Sequence, residues 1–299
     1  MAAEPVHVTR QPSVLTDFFE LTKPRIMILL LITMLGGMAW AQDGLPSLWL
    51  IAAALVGMGL CSGGASAINH AVDRDLDVRM ERTRQRPVAA GRVAPTAAIV
   101  FGVVLTVLGV VVLSVLATPA AAALALGGNL FYVLIYTLWL KRRTPQNIVI
   151  GGAAGAMPPL VGWAAVTGNI TLAPLFLFGL IFLWTPPHFW ALALVKQDEY
   201  ENAGVPMLPN VRGVRVTTMQ MVVYTVILLV FSLLAVPFGL LGYLYGTIAL
   251  LLGARFLQMA VQLHRHGGDL DEAREMFRFS LLYLAGIFFA IALDRVLLG

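Results

Sequence analysis

The sequence AINHAVDRDLDVRMERTRQRPVAAGR, residues 67–92, decides the fold, because the densest charge of the chain directly follows a long apolar run. Charge beside a segment long enough to cross a bilayer predicts a functional site at a membrane surface. Asn69, Asp73 and Asp77 are spaced four residues apart, so on one helix they share a face, whereas Asp75 points away from it. The stretch therefore predicts an oxygen-rich helix face followed at once by arginines.

Oxygen ligands beside arginines are typical of a site for Mg²⁺ and phosphate. Mg²⁺ prefers oxygen ligands and usually shares them with substrate phosphates. An arginine guanidinium group can donate two parallel hydrogen bonds to the oxygens of one phosphate. The alternative is a helix end whose carboxylates only pair with cytosolic arginines. The regular spacing and a second acidic run at residues 198–202 favour the metal site.

Composition places the chain in a membrane. Of its 299 residues 59% are hydrophobic and only 12% are charged, with a mean hydropathy of +0.83. Soluble proteins have about a quarter of their residues charged, so these values indicate an integral membrane protein. Residues 1–20 are polar and do not resemble a signal peptide. Cys61 is the only cysteine, which excludes an intrachain disulfide and a multi-cysteine metal site.

Hydropathy predicts nine transmembrane helices. We expect these helices to surround a central cavity open to the cytoplasmic side. We expect an all-α integral membrane protein with a cytoplasmic N-terminal segment, residues 1–20, and one transmembrane domain, residues 21–299. The predicted spans are 25–41, 48–69, 95–117, 120–140, 147–166, 171–194, 217–237, 240–263 and 278–297.

The basic residues predict the orientation of the chain. All but one of the 20 lysines and arginines are on one side of the predicted spans, and the exception is Arg295. By the positive-inside rule this side is cytoplasmic, which places the N-terminus inside and the C-terminus outside. We expect a multi-pass protein of the cell inner membrane with its chemistry at the cytoplasmic face.

The second acidic run gives the chain a coarse internal symmetry. The cluster of Asn69, Asp73 and Asp77 closes span two and the run 198–202 follows span six, so both acidic clusters are at the same membrane face. Two helical halves, about 21–140 and 147–297, could then face each other across one cavity. This pseudo-repeat is predicted from topology alone, because the halves share little sequence.

Several stretches together resemble the UbiA superfamily of intramembrane prenyltransferases. The resemblance covers about residues 21–297. Some of the stretches resemble the branch of that superfamily that modifies haem. The stretches are Asn-x-x-x-Asp-x-x-x-Asp at 69–77, RTRQRP at 82–87, LTKPR at 21–25, YTLWLKRRTPQNIVIGG at 136–152, WTPPHFW at 184–190 and AGVPMLP at 203–209.

The resemblance implies an enzyme that transfers a farnesyl group from farnesyl diphosphate to a vinyl group of haem B, giving haem O. It implies a Mg²⁺ cofactor, bound by Asn69, Asp73 and Asp77 with the second acidic run. That run departs from a strict Asp-x-x-x-Asp pair. Either Asp198 or Glu199 can supply the second-site acid, and Asp198 is favoured because Asn202 repeats the four-residue spacing. The implied catalytic and metal residues are Asn69, Asp73, Asp77, Asp198, Glu199 and Asn202.

The resemblance also implies cations for the diphosphate and histidines for the haem. Arg142 is interpreted instead as a topology anchor. His188 has an alternative structural role, a hydrogen bond to a backbone carbonyl freed by the prolines at 186 and 187. The implied diphosphate-binding residues are Lys23, Arg82, Arg86, Lys141 and Arg143, and the implied haem-binding residues are His188 and His70.

The implied partners are farnesyl diphosphate, haem B and the lipid bilayer, with no nucleic acid. Haem A synthase or oxidase assembly proteins are possible protein partners. Three alternatives remain open from the sequence: a related prenyltransferase with a quinone-type or chlorophyll-type acceptor, an ion-coupled transporter, and a non-catalytic haem assembly protein. The acids at helix ends beside arginines favour the enzyme over a transporter, whose ion sites are near the bilayer midplane.

Overall fold

The computed structural model describes residues 13–42 and 45–298, and every regular element in these ranges is helical. Nine helices of the described chain are long and apolar enough to cross a membrane. They are α2 (Pro24–Gln42), α3 (Leu48–Val72), α5 (Pro95–Leu116), α6 with its continuation (Pro119–Arg142), α7 (Asn147–Thr167), α8 (Leu172–Val195), α10 (Leu208–Leu233), α11 (Tyr243–Arg265) and α12 (Leu270–Leu298). The expected all-α membrane protein with nine spans is confirmed.

Three short helices lie outside these spans. They are α1 (Val14–Leu21), α4 (Arg74–Asp77) and α9 (Gln197–Asn202). The first precedes span one, the second follows span two and the third follows span six. Because an even number of crossings separates them, all three are at the same end of the bundle. The predicted acids are therefore also at that end.

The later spans differ most from their predicted bounds. Helix α10 begins at Leu208 and α12 at Leu270, although their apolar windows begin near residues 217 and 278. Both helices begin before their apolar windows, in polar sequence whose side chains face water. A hydropathy window detects only the apolar part of such a helix. Helix α10 is also kinked at Gly213, whose φ is +81°.

Glycines bring α3 and α5 close together. A Cβ added at Gly102 would lie 2.6 Å from the carbonyl oxygen of Gly64, and one at Gly109 would lie 2.6 Å from that of Gly57. Only a hydrogen fits in these gaps, and small residues at such contacts are typical of membrane helix pairs. This contact fixes α3, whose C-terminal end carries the acids.

The fourth span ends in an irregular segment. Helix α6 (Pro119–Leu130) continues as a π-helix, Phe131–Thr137, and then as a 3₁₀ turn, Leu140–Arg142. π-Helical turns are rare and occur frequently at functional sites. This one brings the Thr137 hydroxyl within 3.2 Å of the Asn69 side-chain nitrogen. The irregular segment thus contacts the acidic C-terminal end of α3.

Two apolar clusters form the interior of the bundle. One is built mainly from α2, α3, α5, α6 and α7, and Met34 is fully buried in it. The other is built mainly from α8, α10, α11 and α12, with Phe256 fully buried. Helix α12 packs against α2 and so joins the end of the bundle to its beginning. The division into halves 21–140 and 147–297 and the central cavity stay predictions.

Candidate metal and diphosphate site

The first acidic cluster keeps its helical register although the helix is interrupted. Helix α3 ends at Val72, and Asp73 separates it from α4 with φ −88° and ψ 8°. The Asp73 N–H still donates to the Asn69 carbonyl at 2.9 Å, and the Asp77 N–H donates to the Asp73 carbonyl at 2.8 Å. The expected single helix is therefore wrong at Asp73, but the shared face is retained.

Each of the three oxygen-bearing side chains contacts a cation from another part of the chain. One cation precedes α2, one lies on the loop of residues 78–93 and one lies on the turn after the π-helix. The contacts are Lys23 Nζ to Asn69 Oδ1 (2.7 Å), Lys141 Nζ to Asp73 Oδ2, and Arg86 Nη1 to Asp77 Oδ1 (2.8 Å) and Oδ2 (2.9 Å). Three of the predicted diphosphate cations are thus assembled at the first acidic cluster.

The oxygen-bearing side chains of this cluster are buried. Asn69 is 2% exposed, Asp73 is fully buried and Asp77 is 3% exposed. Burial, with Arg86 and Lys141 nearby, lowers the pKa of the Lys23 ammonium to about 7. A buried charge that loses its partner is strongly destabilising, so Asp73 and Asp77 depend on their cations. Lys23 instead donates to the neutral amide of Asn69.

The cluster also fits a divalent cation. Asp73 Oδ1 is buried and has no hydrogen-bond partner, while its other oxygen accepts from Asn69 at 2.6 Å and from Lys141. In the described part of the chain, no group of three His, Cys, Asp or Glu side chains could bind a metal ion. Mg²⁺ does not need one, because it commonly takes one or two carboxylates and completes its shell with water and substrate phosphates.

The second acidic run presents a different residue from the one favoured by its spacing. Glu199 Oε2 lies 3.7 Å from Arg82 Nε, and the next residue, Tyr200, accepts a hydrogen bond from Arg82 at 2.9 Å. Asp198 and Asn202 are both exposed. These contacts favour Glu199 over Asp198, because one residue turns a helix by 100°, but the choice of the second-site acid stays a prediction.

One loop joins the two acidic clusters. Arg82 and Arg86 both lie in residues 78–93, the first contacting the α9 cluster and the second contacting Asp77. Thr83 between them donates from its hydroxyl to the Asp77 carbonyl at 2.9 Å. The loop thus places one guanidinium at each acidic cluster.

The two arginines that follow Lys141 differ from expectation. Arg143 is exposed, whereas Arg142 donates to both oxygens of Asp75 at 2.7 and 2.8 Å and lies 3.8 Å from Asp73. The hydrogen bond from Arg142 lowers the pKa of the exposed Asp75 carboxyl. The expected outward direction of Asp75 is confirmed. Of these two arginines, it is Arg142 that reaches the acids.

The two predicted haem-binding histidines have different environments. His188 lies between the rings of Trp184 and Phe277, at centroid distances of 4.1 and 4.7 Å, and its Nδ1 is 2.6 Å from the Ser280 hydroxyl. The expected bond to a carbonyl freed by proline is therefore wrong. His70 is 1% exposed, and neither ring nitrogen has a hydrogen-bond partner.

Sequence inspection missed several residues at the site. Thr137 contacts Asn69 only because of the π-helix, and no periodicity signals such a turn. Tyr200 was passed over between two acids, although its ring lies 5.3 Å from the Arg82 guanidinium carbon. An aromatic residue inside an acidic run beside an arginine-rich loop is a signal that could have identified it.

The bundle and its buried acids and cations define a multi-pass membrane protein with a charged site at one membrane face. The chain belongs to the UbiA prenyltransferase family, which matches residues 30–282. The resemblance of the sequence to that family is thus confirmed.

Relatives with high identity share one description. The chain is 47% identical to protoheme IX farnesyltransferase of Gloeobacter violaceus, over 97% of this chain and 95% of the relative. It is 49% identical to that of Symbiobacterium thermophilum, over 94% of each. It is also 49% identical to that of Chloroflexus aurantiacus over 98% of this chain, but spans only 50% of that longer relative.

Solved structures share the fold. A digeranylgeranylglyceryl phosphate synthase superposes with a TM-score of 0.79 at 17% identity, covering 94% of this chain and 98% of its own. A UbiA homolog from Archaeoglobus fulgidus, bound to DMAPP and Mg²⁺, superposes with a TM-score of 0.62 at 14% identity, covering 92% and 99%. These likenesses support the architecture of the bundle.

Proposed function

We propose that this protein transfers a farnesyl group from farnesyl diphosphate to a vinyl group of haem B, giving haem O. The single observation that supports a diphosphate reaction is the buried cluster in which Lys23, Arg86 and Lys141 surround Asn69, Asp73 and Asp77. The relatives at 47–49% identity, each described as a protoheme IX farnesyltransferase, support this donor and acceptor.

The cations suit the leaving group of this reaction. The allylic C1–O bond of farnesyl diphosphate breaks, and its electron pair leaves with the diphosphate, which then has several negative charges. Lys23, Arg86 and Lys141 would contact those charges at a site already shaped for paired ions. Donors placed where charge develops usually supply the largest part of a rate enhancement.

Asp73 and Asp77, with Asn69, are the residues that would bind Mg²⁺ here. The buried Asp73 Oδ1, which accepts no hydrogen bond, is the observation that supports this assignment. When bound, Mg²⁺ supplies charge neutralisation at the diphosphate oxygens. Across the cluster, Glu199 would orient Arg82 toward the same group. Asp198 and Asn202, exposed on α9, have no part in this proposal.

The acceptor side of the reaction needs no protein nucleophile. The farnesyl C1 cation forms a bond to the terminal vinyl carbon of haem B, and water adds to the resulting carbocation. Loss of one proton from that water gives the hydroxyl of the product. The protein must exclude water from the first cation, and an apolar bundle interior serves this purpose. His188 and His70 stay the proposed haem contacts.

Location and partners belong to this proposal as well. The spanning helices make the chain a multi-pass membrane protein. We propose the cell inner membrane, with the N-terminus and the site in the cytoplasm. Haem A synthase and oxidase assembly proteins stay proposed partners for the product.

Incubation of the purified protein with haem B, farnesyl diphosphate and Mg²⁺, followed by mass spectrometry of the haem, tests this function. We expect a product heavier by one farnesyl group and one hydroxyl group. A parallel incubation with a quinone-type aromatic acceptor serves as the control for acceptor class. Prenylation of that acceptor with haem B unchanged would overturn the proposal.

A further inference from the structure

The first helix, α1, exposes apolar side chains that the described chain does not cover. Leu15 is 84% exposed and Phe19 is 64% exposed. At 100° per residue, α1 has three separate sectors. They are an exposed apolar sector with Leu15 and Phe19, an exposed polar sector with Thr16 and Glu20, and a buried sector with Asp17 and Leu21.

Three sectors of this kind suit a helix at the boundary of membrane and water. One side contacts the protein, one enters lipid and one faces solvent. Helix α2 begins at Pro24, directly after α1, and its exposed side chains Ile26, Leu29 and Ile32 form the start of the lipid-facing surface. The apolar sector of α1 is continuous in sequence with that surface.

The size of this sector favours lipid over a protein partner. A specific protein interface buries about 800 Å² on each partner, far more than one eight-residue helix offers. Contact with the bilayer has no such minimum, because the spanning helices already place the chain in the membrane.

The buried sector of α1 is joined to the loop of residues 78–93. Arg92 donates from Nε to Asp17 Oδ1 at 2.9 Å and from Nη1 to the Gln85 carbonyl at 3.0 Å. Asp17 is 3% exposed. The residue after Gln85 is Arg86, the guanidinium partner of Asp77. Helix α1 is therefore linked through Arg92 to the backbone that presents Arg86.

The C-terminal end of α1 leads directly into the site. Leu21 is fully buried against Val88 and Val93, which belong to the same loop. Lys23 has a φ of +51°, a conformation that non-glycine residues rarely adopt and that surrounding contacts must maintain. Its side chain donates to Asn69 at 2.7 Å. The position of α1 thus determines where Lys23 enters the cluster.

We propose that α1 lies in the bilayer interface at the site's face of the membrane, with Leu15 and Phe19 in lipid. This lipid contact holds α1 in place. Helix α1 in turn positions Lys23, which follows it in the chain, and positions Arg86 through Arg92. The lipid contact is independent of the reaction, whereas its effect on the site rests on the proposed function.

Spin labels in lipid nanodiscs test the contact itself. Cys61, the only cysteine, is buried and is replaced first by Cys61→Ala. Labels are then attached through Leu15→Cys, Phe19→Cys and, as a matched control in the polar sector, Thr16→Cys. We expect oxygen to broaden the first two signals and a water-soluble nickel chelate to broaden the third. Nickel access to all three, or shielding of positions 15 and 19 from both agents, would overturn the proposal.

A charge variant tests the effect on the site. We expect Leu15→Glu with Phe19→Glu to weaken binding of a non-reactive farnesyl diphosphate analogue about tenfold, with the melting temperature retained. Thr16→Glu, which adds a charge in the exposed polar sector of α1, should bind as the unmodified chain does. Equal affinity in the Leu15 and Phe19 variant would refute the positioning role. An unmodified chain that binds no analogue would contradict the proposed function and leave the spin-label result standing.

Discussion

Three acids within five residues have different environments. Asp73 and Asp77 are buried and contact cations, whereas Asp75 is exposed and pairs with Arg142. Asp75 therefore serves as a matched control for the other two, since it has the same chemistry and lies on the same segment.

We expect Asp73→Asn or Asp77→Asn to lower turnover by about two orders of magnitude or more, because each removes a carboxylate that would hold Mg²⁺ at the diphosphate. Asp75→Asn should retain most activity. Product formation under saturating substrates is the measurement, with membrane extraction and melting temperature to show that each variant is folded. A loss in Asp75→Asn as large as in Asp73→Asn would contradict the assignment.

His188 is the second residue whose role can be separated by substitution. His188→Ala removes a ring stacked between Trp184 and Phe277 and a hydrogen bond to Ser280. We expect the free energy of unfolding to fall by about 2–4 kcal/mol, and by about 1 kcal/mol in Ser280→Ala, which removes the hydroxyl but leaves the ring stacking intact. Melting temperature measures both effects.

A haem contact through Nε2 of His188 predicts an additional result. Haem affinity should fall in His188→Ala, while affinity for farnesyl diphosphate should stay unchanged. Unchanged haem affinity would remove His188 from the acceptor site and leave it a packing residue of α8.

At this scale the sequence identified the acids but not all of their partners. Four-residue spacing predicts a shared helix face, so it placed Asn69, Asp73 and Asp77 on one face and Asp75 away from it. Spacing does not fix the rotation of a six-residue helix such as α9, so it favoured Asp198 where the structure presents Glu199.

The loop of residues 78–93 is the element that joins the two acidic clusters. Arg82 contacts Glu199 and Tyr200 near α9, while Arg86 contacts Asp77 near α4. No regular helix spans this loop, and its turns are held by local hydrogen bonds such as Ala90 N–H to the Arg86 carbonyl at 2.8 Å. Its geometry therefore depends on both clusters.

We expect Glu199→Gln to weaken binding of a farnesyl diphosphate analogue, because Arg82 loses the carboxylate that orients it. Asp198→Asn is the matched control, because it removes the same charge from an exposed residue one position away. Calorimetric titration of both variants measures the difference. A larger loss in Asp198→Asn would restore the second-site acid favoured by spacing.

Among the elements, spanning helices were predictable and polar helical extensions were not. Nine apolar windows correspond to nine spanning helices in the described chain, since length and hydropathy determine them. The extensions of α10 and α12 are polar, and the π-helix after Leu130 is a local change of helix type, so a hydropathy window detects neither.

For the whole molecule, charge counting predicts an orientation that contacts alone do not determine. Lys23, Arg86, Lys141 and Arg82 lie at one end of the bundle, which the positive-inside rule makes cytoplasmic. A reporter inserted at Gly91 should be cytoplasmic, and one fused after Gly299 should be outside. A cytoplasmic reporter after Gly299 would contradict the nine-span topology.

The central claim is that the buried acids and cations form a metal-dependent diphosphate site. Calorimetric titration of the purified chain with farnesyl thiodiphosphate, an analogue that reacts slowly, tests it most directly when run with Mg²⁺ and again with the metal chelated. We predict tight binding with Mg²⁺, binding at least about a hundredfold weaker without it, and the same loss in Asp73→Asn with Mg²⁺ present. Equal affinity with and without divalent metal, or full affinity in Asp73→Asn, would contradict the claim.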